Sequence, residues 1–128
     1  MRLLIGLQSD GTPLLIQEKI SKKADLRCMV VDNDVHAFAI PYIEGEQIDF
    51  RIAPLKDIKP YKLSEKTERY LVKLNGQLSV RYSACDLVLS HTGEEVFLEA
   101  NVSGNWLFCD VATDVRVTRD IAAKLLSG

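Results

Sequence analysis

Apolar and polar positions alternate along most of this chain with the period of two that marks half-buried strands. The alternation gives way twice to the longer period of a helix. Pro13-Leu14-Leu15-Ile16-Gln17-Glu18-Lys19-Ile20 is aliphatic and lies between Asp10-Gly11-Thr12 and the polar Ser21-Lys22-Lys23, which predicts a strand between turns. Leu26–Val31 and Val35–Ile40 follow, joined across Asp32-Asn33-Asp34, residue types that tolerate the positive φ of a tight turn; together they predict a hairpin. A weaker strand at Gln47–Ile52 leads into a loop marked by Pro54 and Pro60. Ser64–Leu78 predicts a helix, with Ser64 as N-cap, Glu65 and Glu68 at its positive end, and Tyr70, Leu71, Leu74 and Leu78 along one face. A second hairpin is expected from Val80–Ser90 and Glu95–Asn101. After an irregular loop, Thr118–Leu126 forms a closing helix with Ile121, Ala122, Leu125 and Leu126 on its apolar face.

This order predicts an α+β fold, a largely antiparallel sheet of two hairpins plus a further strand with two helices packed on one face. At 128 residues, with 47% hydrophobic and 27% charged, the chain is expected to be one globular domain, 1–128. The net charge of −2 is shared evenly between the halves, so no basic stripe points to nucleic acid. The first ten residues hold too short an apolar run for a secretion signal, and no later run approaches membrane-spanning length, which makes a cytoplasmic protein with no membrane partner the expectation. Cys28, Cys85 and Cys109 each sit in an apolar run and read as reduced core residues, and His36 and His91 as core or surface histidines. No Walker loop, nucleophile elbow or zinc-spaced pair is present.

The candidate chemistry lies in the second hairpin. Either a two-residue turn at Thr92-Gly93 or a four-residue loop over His91–Glu94 sets Asp86 directly opposite Glu99. Glu99 and Asn101 then share one strand face, while Val96, Leu98 and Ala100 take the other. Opposed carboxylates repel, so something must offset them. A hard divalent cation such as Mg²⁺ would do so with these three oxygen donors. A neutralising Arg27, Arg51 or Arg81, or a carboxyl kept protonated, would do so equally. On the first hairpin, Asp25 and Arg27 fall on a common face, one able to accept from hydroxyls and the other to hold phosphate; a surface ion pair is the plainer reading.

Taken in order, Gln17-Glu18-Lys19-Ile20, Ala24-Asp25-Leu26-Arg27-Cys28-Met29-Val30-Val31, Cys85-Asp86-Leu87-Val88-Leu89 and Val96-Phe97-Leu98-Glu99-Ala100-Asn101-Val102-Ser103-Gly104-Asn105-Trp106 resemble the carboxy-terminal part of an ATP-grasp carboxylate–amine ligase. The branch most similar contains the ribosomal-protein glutamate ligase and the ligases that mature microviridin-type peptides. The resemblance runs from about residue 12 to the end. It implies that Gln17, Glu18, Lys19 and Ile20 form the hinge that meets adenine and that Asp25 binds the ribose. It further implies that Arg27 and Arg51 hold phosphate or the activated carboxylate, and that Asp86, Glu99 and Asn101 bind magnesium.

The implied cofactors are ATP and Mg²⁺, and the implied reaction phosphorylates a peptide or protein carboxylate before an amine or hydroxyl attacks it. Val102 stands where a proline is common and Ser83 where glycine is usual. Only about a dozen residues precede the hinge, so the amino-terminal lobe with its phosphate-covering loop is expected from elsewhere, as a missing lobe or partner chain. Lys19, Lys22 and Lys23 lie within or just after the hinge and do not replace that lobe's lysines. The chain alone is then a half-site, inactive without that lobe, with an interlobe surface open to self-association into a homo-oligomer. The alternative is a non-catalytic binding or interaction module that keeps this half-fold.

Overall fold

In the computed structural model, residues 3–7, 11–42 and 55–127 are described. A two-stranded ribbon comes first, β1 (Leu3–Leu7) antiparallel to β2 (Pro13–Gln17). The main sheet has five strands: β3 (Lys22–Val31), β4 (Asp34–Pro41), β5 (Lys59–Tyr61), β6 (Tyr82–Ser90) and β7 (Glu95–Asn101). They are antiparallel in the order β5-β4-β3-β6-β7, so the predicted α+β class and antiparallel sheet are what the chain forms. Three helices accompany them, α1 (Glu65–Leu78), α2 (Leu107–Ala112) and α3 (Val117–Ser127). The expected weak strand at Gln47–Ile52 lies outside the described residues.

The helices do not share one face. Leu26, Cys28 and Val30 of β3 and Cys85 and Leu87 of β6 point to the side covered by α1 through Leu71, with Val72 against the same cluster. Met29 and Val31, with Ala84 of β6 and Phe38 and Ile40 of β4, point to the opposite side and pack against Cys109 of α2 and Val117 of α3. A strand offers both faces by alternation, and here both are apolar enough to need a cover. The stretch expected to be an irregular loop therefore contains α2, which supplies part of the second cover.

Local signals explain most boundaries. Ser64 caps α1, its hydroxyl accepting from the Thr67 amide at 3.3 Å. The helix runs through Asn75-Gly76 and stops at Ser79, which takes the left-handed φ of 55°. Leu71 and Asn75 are its buried residues, whereas Tyr70 and Leu78, expected on the inner face, are about half exposed. Tyr70 instead meets Phe97 edge-on. On α3 the inner positions are Val117 and Ile121, while Leu125 and Leu126 face outward. Asp110 of α2 caps α3 from a distance, accepting from the Val117 and Thr118 amides at 2.8 and 3.0 Å. Among the described residues no helix is long and apolar enough to cross a membrane. All three cysteines are buried and free, as expected.

Candidate functional site

The second hairpin turns differently from either expected form. Ser90 and Glu94 close a three-residue loop, with the Ser90 amide donating to the Glu94 carbonyl at 2.9 Å and Gly93 at φ 89°. This is a hairpin loop of the kind that ends in a left-handed glycine. It shifts the register by one, pairing Leu89 with Glu95 and Leu87 with Phe97. A bulge then takes up Leu98, and beyond it Asp86 pairs with Glu99, Cys85 with Ala100 and Ala84 with Asn101. The expected opposition of Asp86 and Glu99 is present, but the expected common face for Val96, Leu98 and Ala100 is not. Val96 opposes Val88 and Ala100 opposes Cys85, which lie on opposite faces of the sheet. The bulge brings Glu99 and Asn101 to the face away from α1, where Arg27 and Asp86 also point.

A row of side chains therefore crosses that face from β4 to β7: Phe38, Arg27, Asp86, Glu99. Asn101 lies in the next row, opposite Ala84. The expected common face of Asp25 and Arg27 is observed, with Asp25 one row nearer the link that joins β2 to β3. Gln17 ends β2, and Glu18, Lys19 and Ile20 form that link between the two sheets, Glu18 and Lys19 exposed and Ile20 half-buried. Asp25 is held by Lys22, whose ammonium also sits 5.2 Å from the centre of the Tyr42 ring. Arg51 lies outside the described residues.

The opposed carboxylates are offset by Arg27. Its Nη1 donates to both Asp86 oxygens at 2.8 and 2.9 Å, and its Nη2 donates to the Asn105 carbonyl at 3.0 Å. The guanidinium is buried, and Nε has no acceptor among the described residues. Arg81, the other described candidate, is engaged elsewhere, on Asp32 at 2.8 Å. Glu99 is exposed and makes no hydrogen bond or ion pair among the described residues. The Asn101 side-chain oxygen accepts from the Ser103 amide and hydroxyl at 2.9 and 3.0 Å, folding the chain back after β7.

That fold-back forms a strap over the row. Gly104 is required in it: a Cβ there would lie 2.4 Å from the Ala84 Cβ and 2.7 Å from Arg27 Nη2. The Tyr82 hydroxyl donates to the Gly104 carbonyl at 2.6 Å, and the Tyr82 ring meets Trp106 edge-on at 5.4 Å. Burial pushes the Tyr82 hydroxyl up to about 12, so it stays a donor. The Trp106 Nε1 donates to Thr118 at 2.9 Å, tying the strap to α3.

Arg27, Asp86, Glu99, Asn101 and the strap line a cavity of about 490 Å³, closed on another side by Leu55, Ile58 and Phe108. Sequence reasoning did not select Gly104, Asn105, Phe108, Leu55 or Ile58. Gly104-Asn105-Trp106 stood out as a motif, but a backbone carbonyl acting as an acceptor leaves no mark in the residue type.

The donor set is hard: two carboxylates and an amide oxygen. No group of three or more His, Cys, Asp or Glu side chains stands close enough to hold a metal among the described residues, which argues against a self-sufficient metal centre. It fits Mg²⁺, which is commonly held by one or two carboxylates together with water and substrate phosphates. Asp86 and Glu99 would supply the carboxylates and Asn101 the amide.

No protein-family model matches the sequence, and no curated protein matches it. Solved structures do. A Chryseobacterium gregarium RiPP-associated ATP-grasp ligase, in complex with ADP and a leader and core peptide, superposes with a TM-score of 0.78 at 26% identity, covering 98% of this chain and 46% of that one. The macrocyclase MdnC from Microcystis aeruginosa MRC, bound with precursor peptide MdnA, gives 0.75 at 25% identity over 91% of this chain and 37% of its own. The ATP-grasp ligase PsnB, complexed with a phosphomimetic variant of its minimal precursor, Mg and ADP, has the same fold, with a TM-score of 0.76 at 24% identity over 92% of this chain and 37% of its own. In fold, this chain is similar to the peptide-maturation ATP-grasp ligases, and it spans less than half the length of each of these three.

Proposed function

We propose that this chain is the nucleotide- and magnesium-binding, carboxy-terminal lobe of an ATP-grasp ligase that activates a peptide or protein carboxylate. The observation that carries the reading is one sheet face with two rows in sequence: Asp25 beside the link from β2, then Arg27, Asp86 and Glu99 about 7 Å further on. A nucleotide whose adenine meets residues 17–20 would present its ribose to Asp25 and its phosphates to the second row. The ADP complexes of the similar ligases, and the Mg in that of PsnB, support a nucleotide and Mg²⁺ as the ligands.

The reaction has two steps. A carboxylate oxygen attacks the γ-phosphorus of ATP, giving an acyl phosphate and ADP; an amine or hydroxyl then attacks the acyl carbon, forming an amide or ester and releasing phosphate. Asp86, Glu99 and Asn101 would hold magnesium, which would supply positive charge against the transferring phosphoryl group. Arg27, once released from Asp86, would supply N–H donors to a phosphate or acyl-phosphate oxygen. The apolar wall of Leu55, Ile58 and Phe108 limits water at that end of the cavity. The leader and core peptides and the precursor peptide bound in the similar structures support a peptide or protein as the partner that brings the carboxylate. The lobe that covers the phosphates completes the site, in the same polypeptide or as a partner chain.

The test is NMR-detected titration of the chain with ADP, with and without Mg²⁺. Expected are Mg²⁺-dependent shifts at Asp25, Asp86 and Glu99. Asp86→Asn and Glu99→Gln should each weaken Mg·ADP binding by at least the roughly 10–100-fold typical of an outer-shell change, with the circular dichroism spectrum retained. No shift at these residues up to millimolar ADP, with or without metal, would favour a binding module that keeps the fold without the chemistry.

A further inference from the structure

We infer that Arg27 is a resident counter-cation for Asp86, one that yields the carboxylate to a divalent cation and turns its freed N–H groups to the anion arriving with it. The inference rests on the ligase reading and specifies how the site passes from empty to loaded.

The contact geometry is that of a placeholder. A guanidinium committed to a carboxylate presents two nitrogens in a fork, one to each oxygen. Here a single nitrogen, Nη1, straddles both Asp86 oxygens, Nη2 is spent on the Asn105 carbonyl, and Nε is buried with no acceptor among the described residues. A buried donor without a partner carries its desolvation penalty uncompensated, so an anion that reaches Nε improves on the present state. Arg27 nevertheless cannot be dispensed with while the site is empty. Asp86 directly opposes Glu99, and without the guanidinium two like charges would face each other across neighbouring strands.

Charge favours the exchange. One guanidinium against two carboxylates leaves the patch net negative, which attracts a cation and repels a phosphate. With a divalent cation on the carboxylates the same patch becomes net positive and attracts the phosphate. Metal and guanidinium then compete for Asp86, whereas metal and anion assist one another, each raising the affinity of the other by the same factor. The strap allows this in a limited space: Gly104 leaves room for Nη2, and the Asn105 carbonyl keeps hold of it.

The experiment is a titration of the chain with MgCl₂ alone, followed by calorimetry and by the ¹⁵N resonances of the arginine side chains. Arg27→Met, which keeps the length and removes the charge, should bind Mg²⁺ about tenfold more tightly than the unaltered chain, because a competing charge at contact distance is gone. Arg27→Lys, a single point charge, should stay near the unaltered value. Should Arg27→Met fail to fold, the unaltered protein still decides the matter: the Arg27 Nε resonance should move as Mg²⁺ saturates. Equal or weaker Mg²⁺ binding by a folded Arg27→Met, or an Arg27 resonance unmoved at saturation, overturns the exchange. If Mg·ADP still binds in that case, the ligase reading stands without it; if Mg·ADP fails to bind either protein, both fall.

Discussion

The two faces of the central sheet use the same strands to different ends. Toward α1, β3 and β6 present a floor that is apolar except for Ser83, whose buried hydroxyl donates to the Asn75 side-chain oxygen of α1 at 2.5 Å, and a carboxylate at its margin, Glu95, is occupied in holding the helix. It accepts from the Ser64 amide at 3.0 Å and from the Ser64 hydroxyl at 2.7 Å. Burial pushes Glu95 upward, but hydrogen bonds from Thr67, Ser64 and Tyr61 together outweigh it and hold the carboxyl below its ordinary range. Toward α2 and α3 the apolar floor stops at Met29 and Ala84, and the next row is Arg27, Asp86 and Glu99. Glu95 and Glu99 sit four residues apart on one strand, yet only the first is tied down among the described residues. Glu95 serves the fold on the α1 side, as Asp110 does on the other, whereas Asp86 and Glu99 face each other at some cost in repulsion.

Substitutions can break that contrast or sharpen it. The largest effect should come from Leu71→Ala, which opens a cavity in the fully buried floor beneath α1. A loss of roughly 2–5 kcal/mol is expected in urea unfolding, with Mg·ADP binding unchanged wherever the protein remains folded. Next is Gly104→Ala on the opposite face, where the added Cβ meets Ala84 and Arg27. A cost of about 1–3 kcal/mol should come with weakened nucleotide binding, since the strap and the guanidinium shift together. A stable Gly104→Ala with unaltered binding would separate strap from site.

Asp110→Ala removes the cap of α3 and should cost roughly 1–2 kcal/mol by thermal or chemical melting. Its pH dependence is specific. Burial raises the Asp110 carboxyl, but hydrogen bonds from Thr118 and Val117 and the nearby Arg116 charge outweigh it and hold the group below the ordinary carboxylate range. The folded state therefore binds this proton more weakly than the unfolded state. The stabilisation is complete above the unfolded value and is lost as pH falls through the lower folded one. Asp110→Asn can still cap, and should flatten this part of the acid-unfolding curve. The smallest effect is Glu99→Gln, which relieves the opposition with Asp86 and should stabilise the protein by about 0.2–1 kcal/mol in the absence of metal. A destabilised Glu99→Gln would place Glu99 among the structural carboxylates with Glu95.

The α1 side was largely legible from the residues. Ser64 as cap and the burial of Leu71 follow from local pattern, and the pairing of β3 with β4 from two apolar runs and a short polar turn. The other side was legible only in part. Asp86 does face Glu99, but through a three-residue loop and a bulge at Leu98, each moving the register by one residue in opposing senses. Neither leaves a strong mark: Gly93 fits several loop lengths, and Leu98 looks like any other core residue. The division of the helices between two faces was hidden for a related reason. A strand buried on both sides reads as a continuous apolar run, and Leu26-Arg27-Cys28-Met29-Val30-Val31 does not reveal that each side has its own cover. Leu125 and Leu126 misled because spacing gives the angle around a helix but not how far along it the sheet extends.

The buried thiols divide between the same two sides, Cys28 and Cys85 opposite one another beneath α1 and Cys109 within α2. Burial lifts all three above their ordinary range, Cys28 and Cys109 furthest, so each is shielded both from contact and from ionisation. An alkylating reagent can therefore reach them only during an opening event, and the site it marks records which side opened. The chain carries its own pair of clocks for local unfolding, one behind the smooth floor and one behind the charged row.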